Sequence, residues 1–247
     1  MDSSLNVESF VNLQGGDVHI WFIDVKQIRV QEHILSSQER EWIKSLNFEN
    51  ERKCYAAAHF SIRILLGNYL NQPPQKIDFV VGPNGKPRIA GQNDGEGINF
   101  NISHSQHYVL LAISRDRFIG ADLEKIRTFP EMELIVERFF SEKEKQDWQI
   151  VPNERRLDVF YSVWTRKEAY MKAHGEGLRV NMTRFSVTFL PDSQTEILDV
   201  HRGEGAGWKL IVPDAPRGYC AAVAVNNPVG LVRFFNDLPP GEPMFFG

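Results

Sequence analysis

Two long helical segments, one in each half of the chain, constrain the fold most strongly. In residues 49–70 the apolar side chains recur at helical spacing, and residues 153–174 predict a second long helix that ends at Gly175. A shorter helix is predicted to begin at Ser36, and another, in residues 131–149, is interrupted near Ser141. Both serines stand three residues before a glutamate, which is the capping-box pattern.

Strand-like runs surround these helices and have the β-branched and aromatic composition of buried strands. They lie at residues 17–25, 77–81, 98–103, 108–114, 118–124, 184–190, 196–201, 208–212 and 219–225. The pattern predicts an α+β fold built from two similar lobes, residues 1–117 and 118–235, followed by an irregular tail at residues 236–247. Neither half repeats the other residue by residue.

Composition excludes several classes of protein. The chain has 247 residues with 28 Lys and Arg against 32 Asp and Glu, a net charge of −4, so it is not a basic nucleic-acid binder. Cys54 and Cys220 are far apart and form no CxxC pair, which disfavours a disulfide framework or a zinc site. With no signal-peptide pattern and no apolar run near the ~18 residues of a membrane span, we expect a soluble cytoplasmic protein.

The acidic pair Asp122 and Glu124 is the first candidate for chemistry. Both carboxylates project from one face of the predicted strand, because side chains alternate along a strand and Leu123 faces the other way. Two hard oxygen donors at this spacing suit Mg²⁺. The alternative interpretation is a solvated strand end with an ordinary acidic pair.

A helical motif in residues 164–172 is the second candidate. Trp164, Glu168 and Lys172 share one helix face, with Glu168 available as a third metal ligand or a base and Lys172 as a contact for phosphate. The alternative is a solvated Glu–Lys pair on a helix surface.

Two further segments offer polar contacts. In residues 99–105, Ser103 and His104 could hold phosphate oxygens, or His104 could bond to backbone at the strand end. Gly85-Lys86-Pro87 reads as a turn. No GxSxG or GxxxxGK[ST] motif supports a serine hydrolase or a P-loop phosphotransferase.

Taken in order, these four motifs resemble those of the 4′-phosphopantetheinyl transferases of the larger, Sfp-like type. Residues 48–70 and 138–144 are similar to two further segments of that family, so the resemblance covers about residues 17–225.

The resemblance implies a pseudo-dimer of two α+β lobes with coenzyme A held between them. It implies that Asp122, Glu124 and Glu168 hold Mg²⁺ on the pyrophosphate of coenzyme A. Further contacts follow by motif position: Lys172 with pyrophosphate, Ser103 and His104 with phosphates, and Lys86 and Pro87 at the adenine. For the 3′-phosphate, Arg52 is the first choice, with Arg40, Lys44 and Lys53 as alternatives.

The implied reaction transfers phosphopantetheine to a serine of an acyl or peptidyl carrier protein and releases adenosine 3′,5′-bisphosphate. Lys172 and His104 would neutralise developing charge, and Glu168, or alternatively Glu124, would act as the base. The resemblance implies a monomer without nucleic-acid or membrane partners. The alternative function is a non-catalytic module that binds carrier proteins and has a degenerate coenzyme A site.

Overall fold

The computed structural model describes residues 12–82, 85–93, 95–175, 181–190, 197–199 and 207–238. The helices are α1 (Ser37–Ser45), α2 (Glu49–Leu70), α3 (Met132–Phe139), α4 (Glu142–Gln149) and α5 (Arg156–His174). The strands are β1 (Val18–Asp24), β2 (Phe79–Val81), β3 (Pro87–Ile89), β4 (Ile98–Ser105), β5 (Tyr108–Arg115), β6 (Ile119–Lys125), β7 (Phe185–Val187), β8 (Ile197–Asp199), β9 (Trp208–Ile211), β10 (Tyr219–Asn226) and β11 (Val232–Asn236). In these ranges no helix is long and apolar enough to cross a membrane.

The first lobe packs the long helix α2 on a sheet with the strand order β11-β1-β5-β4. Helix α2 buries residues such as Leu65 and Leu66 against Trp21 and Ile113 of the sheet. It ends at Asn71, whose backbone is left-handed with φ of 50°. A small hairpin of β2 and β3 extends from this lobe.

The second lobe packs α5 on a sheet with the order β6-β10-β9. Its core includes Phe140, Trp148 and Tyr170. Helix α5 ends where predicted, because Gly175 takes the left-handed conformation with φ of 72° and closes the last turn on Met171.

The two lobes repeat one strand register. Strand β1 pairs antiparallel with β5 from Val18–Ser114 to Asp24–Tyr108, and β6 pairs with β10 in the same way from Ile119–Val225 to Lys125–Tyr219. Strands β4 and β9 then add to β5 and β10 at equivalent positions. Each lobe also has a capping box, at Ser36 and at Ser141, before its long helix. The predicted fold of two similar α+β lobes is therefore confirmed.

In each sheet, one face is covered by the long helix. The opposite faces of the two sheets pack against each other and join the lobes. Ile20, Phe22 and Leu110 of the first sheet lie in one buried cluster with Leu123 and Val223 of the second. Burial of so many aliphatic side chains makes this interface part of the protein core.

A line of side-chain hydrogen bonds, which we call the lobe seam, runs beside that apolar interface. The backbone N–H groups of Ala121, Leu123 and Lys125 on β6 donate to side chains of β4. The acceptors are Asn101 Oδ1 at 2.8 Å, Ser103 Oγ at 3.2 Å and Ser105 Oγ at 3.0 Å. Because these residues alternate along β4, all three side chains face β6. Asn101, Ser103 and Ser105 therefore connect the lobes.

Most predicted elements are present, and the exceptions lie at short strands. Strand β2 starts at Phe79 because residues 74–76 form a 3₁₀ turn, and β3 was not predicted. The predicted strand at 196–201 is described only as Ile197–Asp199, and residues 83–84 and 239–247 lie outside the described residues. The unpredicted strand β11 pairs in parallel with β1, so residues 232–236 add to the first sheet. Apart from β11, we propose that the boundary between the two lobes lies between residues 117 and 118, just before β6.

Candidate active site

Asp122 is the most buried acidic residue of the predicted site. Its side chain is only 4% exposed, and Oδ1 accepts hydrogen bonds from Lys172 Nζ at 2.6 Å and Ser103 Oγ at 3.2 Å. Among the described residues, Oδ2 is buried and has no hydrogen-bond partner. A buried carboxylate oxygen without a partner is rare and indicates a ligand.

Gly120 explains how α5 brings its functional side chains close to β6. A Cβ atom at this position would collide with the carbonyl oxygen of Ala169 and the amide nitrogen of Ala173, both in the α5 backbone. Glycine therefore allows the helix to lie directly on the strand. This close approach brings Lys172 onto Asp122.

Glu124 and Glu168 complete an acidic cluster around Asp122. Burial raises the pKa of both glutamates, and the charge of Asp122 raises it further, while Lys172 acts in the opposite direction. Ser105 Oγ donates to Glu124 Oε2 at 3.3 Å. Glu168 accepts no hydrogen bond from the described residues, so its carboxylate is the least constrained of the three.

The three carboxylates have the chemistry of a Mg²⁺ site, since this ion prefers hard oxygen ligands. The unpartnered Oδ2 of Asp122 supports the fit. In the conformation described, however, no three His, Cys, Asp or Glu side chains of the described residues are grouped closely enough to hold a metal ion. Lys172 lies on Asp122 instead, and Mg²⁺ commonly needs only one or two protein carboxylates, with phosphate oxygens and water as its other ligands.

His104 lies on β4 and faces away from the lobe seam. The residue keeps an exposed edge, but burial of its ring lowers its pKa, and the nearby His59 and Lys172 lower it further. His59 on α2 is itself held by Glu39 Oε1 at 3.0 Å and by stacking on Tyr55 at 3.9 Å between ring centroids.

The hairpin of β2 and β3 brings Lys86 to the start of the acidic strand. Lys86 Nζ donates to the carbonyl oxygen of Ile119 at 2.8 Å, and Pro87 begins β3. Lys86 thus contacts the first residue of β6, while Pro87 pairs with β2 in the hairpin.

A basic cavity of about 880 Å³ lies between α1, α2 and the turn after β4. The cations at its wall are Lys26, Arg40, Lys44, Arg52 and Lys53. Arg52 donates to the carbonyl of Leu46 at 2.8 Å, whereas Lys53 forms an exposed pair with Glu49 at 2.6 Å. Gln106 and His107 form another part of the wall, so the cavity reaches the turn that follows His104. All four predicted 3′-phosphate contacts line this cavity, which does not single out Arg52.

Known protein families match both halves of the chain. Residues 20–116 match the family described as "4′-phosphopantetheinyl transferase, N-terminal", and residues 118–224 match the "4′-phosphopantetheinyl transferase superfamily". The 4′-phosphopantetheinyl transferase HetI of Nostoc sp. is 31% identical over 221 residues, which cover 87% of this chain and 90% of that protein. The chain belongs to the 4′-phosphopantetheinyl transferase family.

Other members of the family are similar over much of their length. A 4′-phosphopantetheinyl transferase of Bacillus subtilis is 31% identical over 66% of this chain and 75% of its own length. The L-aminoadipate-semialdehyde dehydrogenase-phosphopantetheinyl transferase of Rattus norvegicus is 29% identical over 91% of this chain and 77% of that protein. As a 4′-phosphopantetheinyl transferase, the chain is an enzyme.

The structure of this transferase also contains site residues that the sequence analysis missed. Ser105 and Asn101 join the lobes, and Ser105 contacts Glu124. His59 lies on α2 near His104 and was not among the predicted site residues. A histidine in an otherwise apolar stripe was the available signal. The contacts themselves depend on lobe packing.

Proposed function

We propose that this transferase moves the 4′-phosphopantetheine moiety of coenzyme A to a serine of an apo acyl or peptidyl carrier protein in a Mg²⁺-dependent reaction. The second product would be adenosine 3′,5′-bisphosphate. Family membership supports the transfer. The contact of Lys172 with Asp122, whose second oxygen is buried and unpartnered, is the observation that carries the site.

Asp122, Glu124 and Glu168 would hold Mg²⁺ in this proposal. The bound ion would supply Lewis-acid stabilisation of the charge that builds on the phosphate oxygens. The residues themselves bring three negative charges to one place, and the raised pKa values of Glu124 and Glu168 reflect this crowding as well as burial.

Lys172 and His104 would contact the pyrophosphate. The ammonium of Lys172 sits on a flexible stem and is 32% exposed, so it can turn from Asp122 to a phosphate oxygen. A ring N–H of His104 can donate to a phosphate oxygen. Ser103 is already bonded to Asp122, Leu123 and Lys172, which favours positioning over direct phosphate contact.

The rest of coenzyme A would extend from the pyrophosphate over the first lobe. The cations of the basic cavity, with Arg52 first, are suited to the 3′-phosphate by charge. Lys86 and Pro87 would line the adenine. Each assignment places the ligand against residues that adjoin β6 or the turn after His104.

Glu168 is our candidate for the base. No described residue donates a hydrogen bond to it, and without a metal ion burial and then the charge of Asp122 raise its pKa. It would take the proton of the carrier serine as the serine oxygen bonds to the β-phosphorus. The bond from that phosphorus to the bridging oxygen breaks, and its electron pair leaves with adenosine 3′,5′-bisphosphate. Glu124, which accepts from Ser105, is the alternative base.

Mass measurement of the carrier tests the proposal. The purified protein is incubated with coenzyme A, MgCl₂ and apo carriers of fatty-acid, polyketide and peptide synthesis, and we expect a gain of one phosphopantetheinyl group. EDTA and the variant Glu168→Gln should both abolish the gain while the circular dichroism spectrum stays unchanged. No mass gain on any carrier would favour the non-catalytic module, and full activity in EDTA would contradict the proposed Mg²⁺ dependence.

We also propose that the protein is a monomer, because one chain supplies both lobes, and that it is located in the cytoplasm. Sedimentation of the purified protein at micromolar concentration measures its mass in solution, and a dimer would contradict this part.

A further inference from the structure

Two serines of the lobe seam each contact a proposed metal-binding carboxylate on the opposite strand. Ser103 Oγ donates to Asp122 Oδ1 at 3.2 Å, and Ser105 Oγ donates to Glu124 Oε2 at 3.3 Å. Both serines come from β4 in the first lobe, whereas both carboxylates lie on β6 in the second lobe. The carboxylates are therefore oriented by the other lobe.

The same two hydroxyl groups also connect the strands. Ser103 Oγ accepts from Leu123 N and Ser105 Oγ accepts from Lys125 N, in each case the residue after the carboxylate. A serine hydroxyl has one proton to donate. Since the backbone N–H is the donor on one side, that proton is directed to the carboxylate on the other side.

Ser105 is the cleaner case of the two. Ser103 also accepts from Lys172 Nζ at 3.3 Å, so a change there would disturb Lys172 as well. Ser105 contacts Glu124 and the backbone of Lys125, and it is only partly buried. Asn101 offers a natural comparison, because it accepts from Ala121 N across the seam and, among the described residues, is not hydrogen-bonded to a carboxylate.

We propose that Ser105 is a positioning residue that orients Glu124 for Mg²⁺, so that the contact joining the lobes also shapes the metal site. This inference rests on the proposed function, in which Glu124 holds the ion. Hydrogen-bond partners that orient a metal ligand typically change metal affinity by about 10–100-fold when they are removed.

Metal affinity, measured apart from catalysis, tests this role. Mn²⁺, which also prefers oxygen ligands, is titrated into the protein with coenzyme A present and no carrier, and free Mn²⁺ is followed by its paramagnetic resonance signal. We expect Ser105→Ala to weaken Mn²⁺ binding about tenfold, at the lower end of that range. Ser105→Thr keeps the hydroxyl and should restore the affinity. Asn101→Ala should lower the unfolding midpoint and leave the affinity unchanged.

The possible outcomes distinguish a failure of the role of Ser105 from a failure of the proposed function. Equal affinity in wild type and Ser105→Ala overturns the role of Ser105 and leaves the metal site intact. Equal losses in Ser105→Ala and Asn101→Ala also overturn it, because a loosened seam would then explain both. No Mn²⁺ binding by wild type overturns the metal assignment itself, and with it the inference. If Asn101→Ala does not fold, the Ala and Thr variants of Ser105 decide alone.

Discussion

The two lobes share one strand register but carry different residues at equivalent positions. By the pairing of β1 with β5 and of β6 with β10, Asp122 of the second lobe corresponds to Trp21 of the first, and Gly120 corresponds to His19. Trp21 is buried and stacks on Phe235 with ring centroids 4.1 Å apart. The first lobe fills with aromatic side chains the position that holds a carboxylate in the second.

The anchoring of the long helices, in contrast, is similar in both lobes. The capping-box residue Glu144 accepts from Lys167 on α5, and the capping-box residue Glu39 accepts from Arg63 on α2. Aligning the helices on these pairs places Ile64 where the second lobe has Glu168. The scaffold is thus shared, and the acidic residues of the candidate site belong to the second lobe alone.

The largest effect on stability should come from breaking the ion pair between Lys167 and Glu144, which anchors α5 in the second lobe. Lys167 and Glu144 are 0% and 1% exposed, so Glu144→Gln takes the charged partner from a buried ammonium and leaves it the Phe185 carbonyl and a neutral amide oxygen. We expect a loss of about 3–5 kcal/mol in the free energy of unfolding, measured in urea.

Glu39→Gln in the first lobe is the matched comparison. It should cost less, because Arg63 keeps hydrogen bonds to the carbonyls of Pro74 and Ile77 and a guanidinium is more weakly hydrated than an ammonium. Equal losses in the two variants would show that the anchors are interchangeable.

Changes at the equivalent positions Asp122 and Trp21 should separate chemistry from packing. Asp122→Asn should lower kcat/KM for carrier modification about 10²–10³-fold, as when one electrostatic group is removed from an active site, with little change in unfolding. Trp21→Phe loses part of a buried stack, so it should lower the unfolding midpoint and leave kcat of the folded enzyme unchanged. A drop in kcat for Trp21→Phe would mean that packing at Trp21 also shapes the active site.

His19 makes the stability of the first lobe depend on pH. The equivalent residue of the second lobe, Gly120, has no side chain that can titrate. Burial, and then the charge of Arg233, lower the pKa of His19 to about 4, while Asp17 opposes them. The unfolded state binds the proton more readily, so stability is complete above pH 6.5 and is lost as the pH falls toward 4. The loss would reach about 3 kcal/mol.

Urea unfolding between pH 7 and pH 4.5 measures this contribution. His19→Gln removes the titration and keeps an acceptor for Tyr69, which lies 2.6 Å from His19 Nδ1. The variant should therefore lose less stability than wild type over this range. Parallel curves for the two proteins would contradict the assignment.

Local sequence signals predicted what depends on local physics. The capping boxes at Ser36 and Ser141 located two helix starts, and the apolar stripe gave α2 with its observed bounds. Alternation along β6 correctly placed Asp122 and Glu124 on one face. These features depend on neighbours within a few residues, so one sequence is enough to show them.

Features that depend on lobe packing could not be predicted. Ser103 and Leu123 are 20 residues apart, and no periodicity connects them. Strand β11 pairs with β1 near the other end of the chain, which its short sequence does not reveal. The two similar lobes show no residue-level repeat because equivalent positions hold such different residues as Trp21 and Asp122.

The smallest effect should come from Lys53, an exposed cation of the first lobe. Its pair with Glu49 is 65% and 69% exposed, so Lys53→Ala should change the free energy of unfolding by less than about 0.5 kcal/mol. Arg52 is partly buried in the basic cavity, and Arg52→Ala should raise KM for coenzyme A about tenfold, or roughly 1.4 kcal/mol, with kcat unchanged. With 3′-dephospho-coenzyme A, wild type and Arg52→Ala should have the same KM, because the phosphate that Arg52 recognises is missing. A larger KM change for Lys53→Ala than for Arg52→Ala would move the 3′-phosphate to Lys53, whereas a fall in kcat in either variant would show that the substituted cation acts on the chemical step as well as on binding.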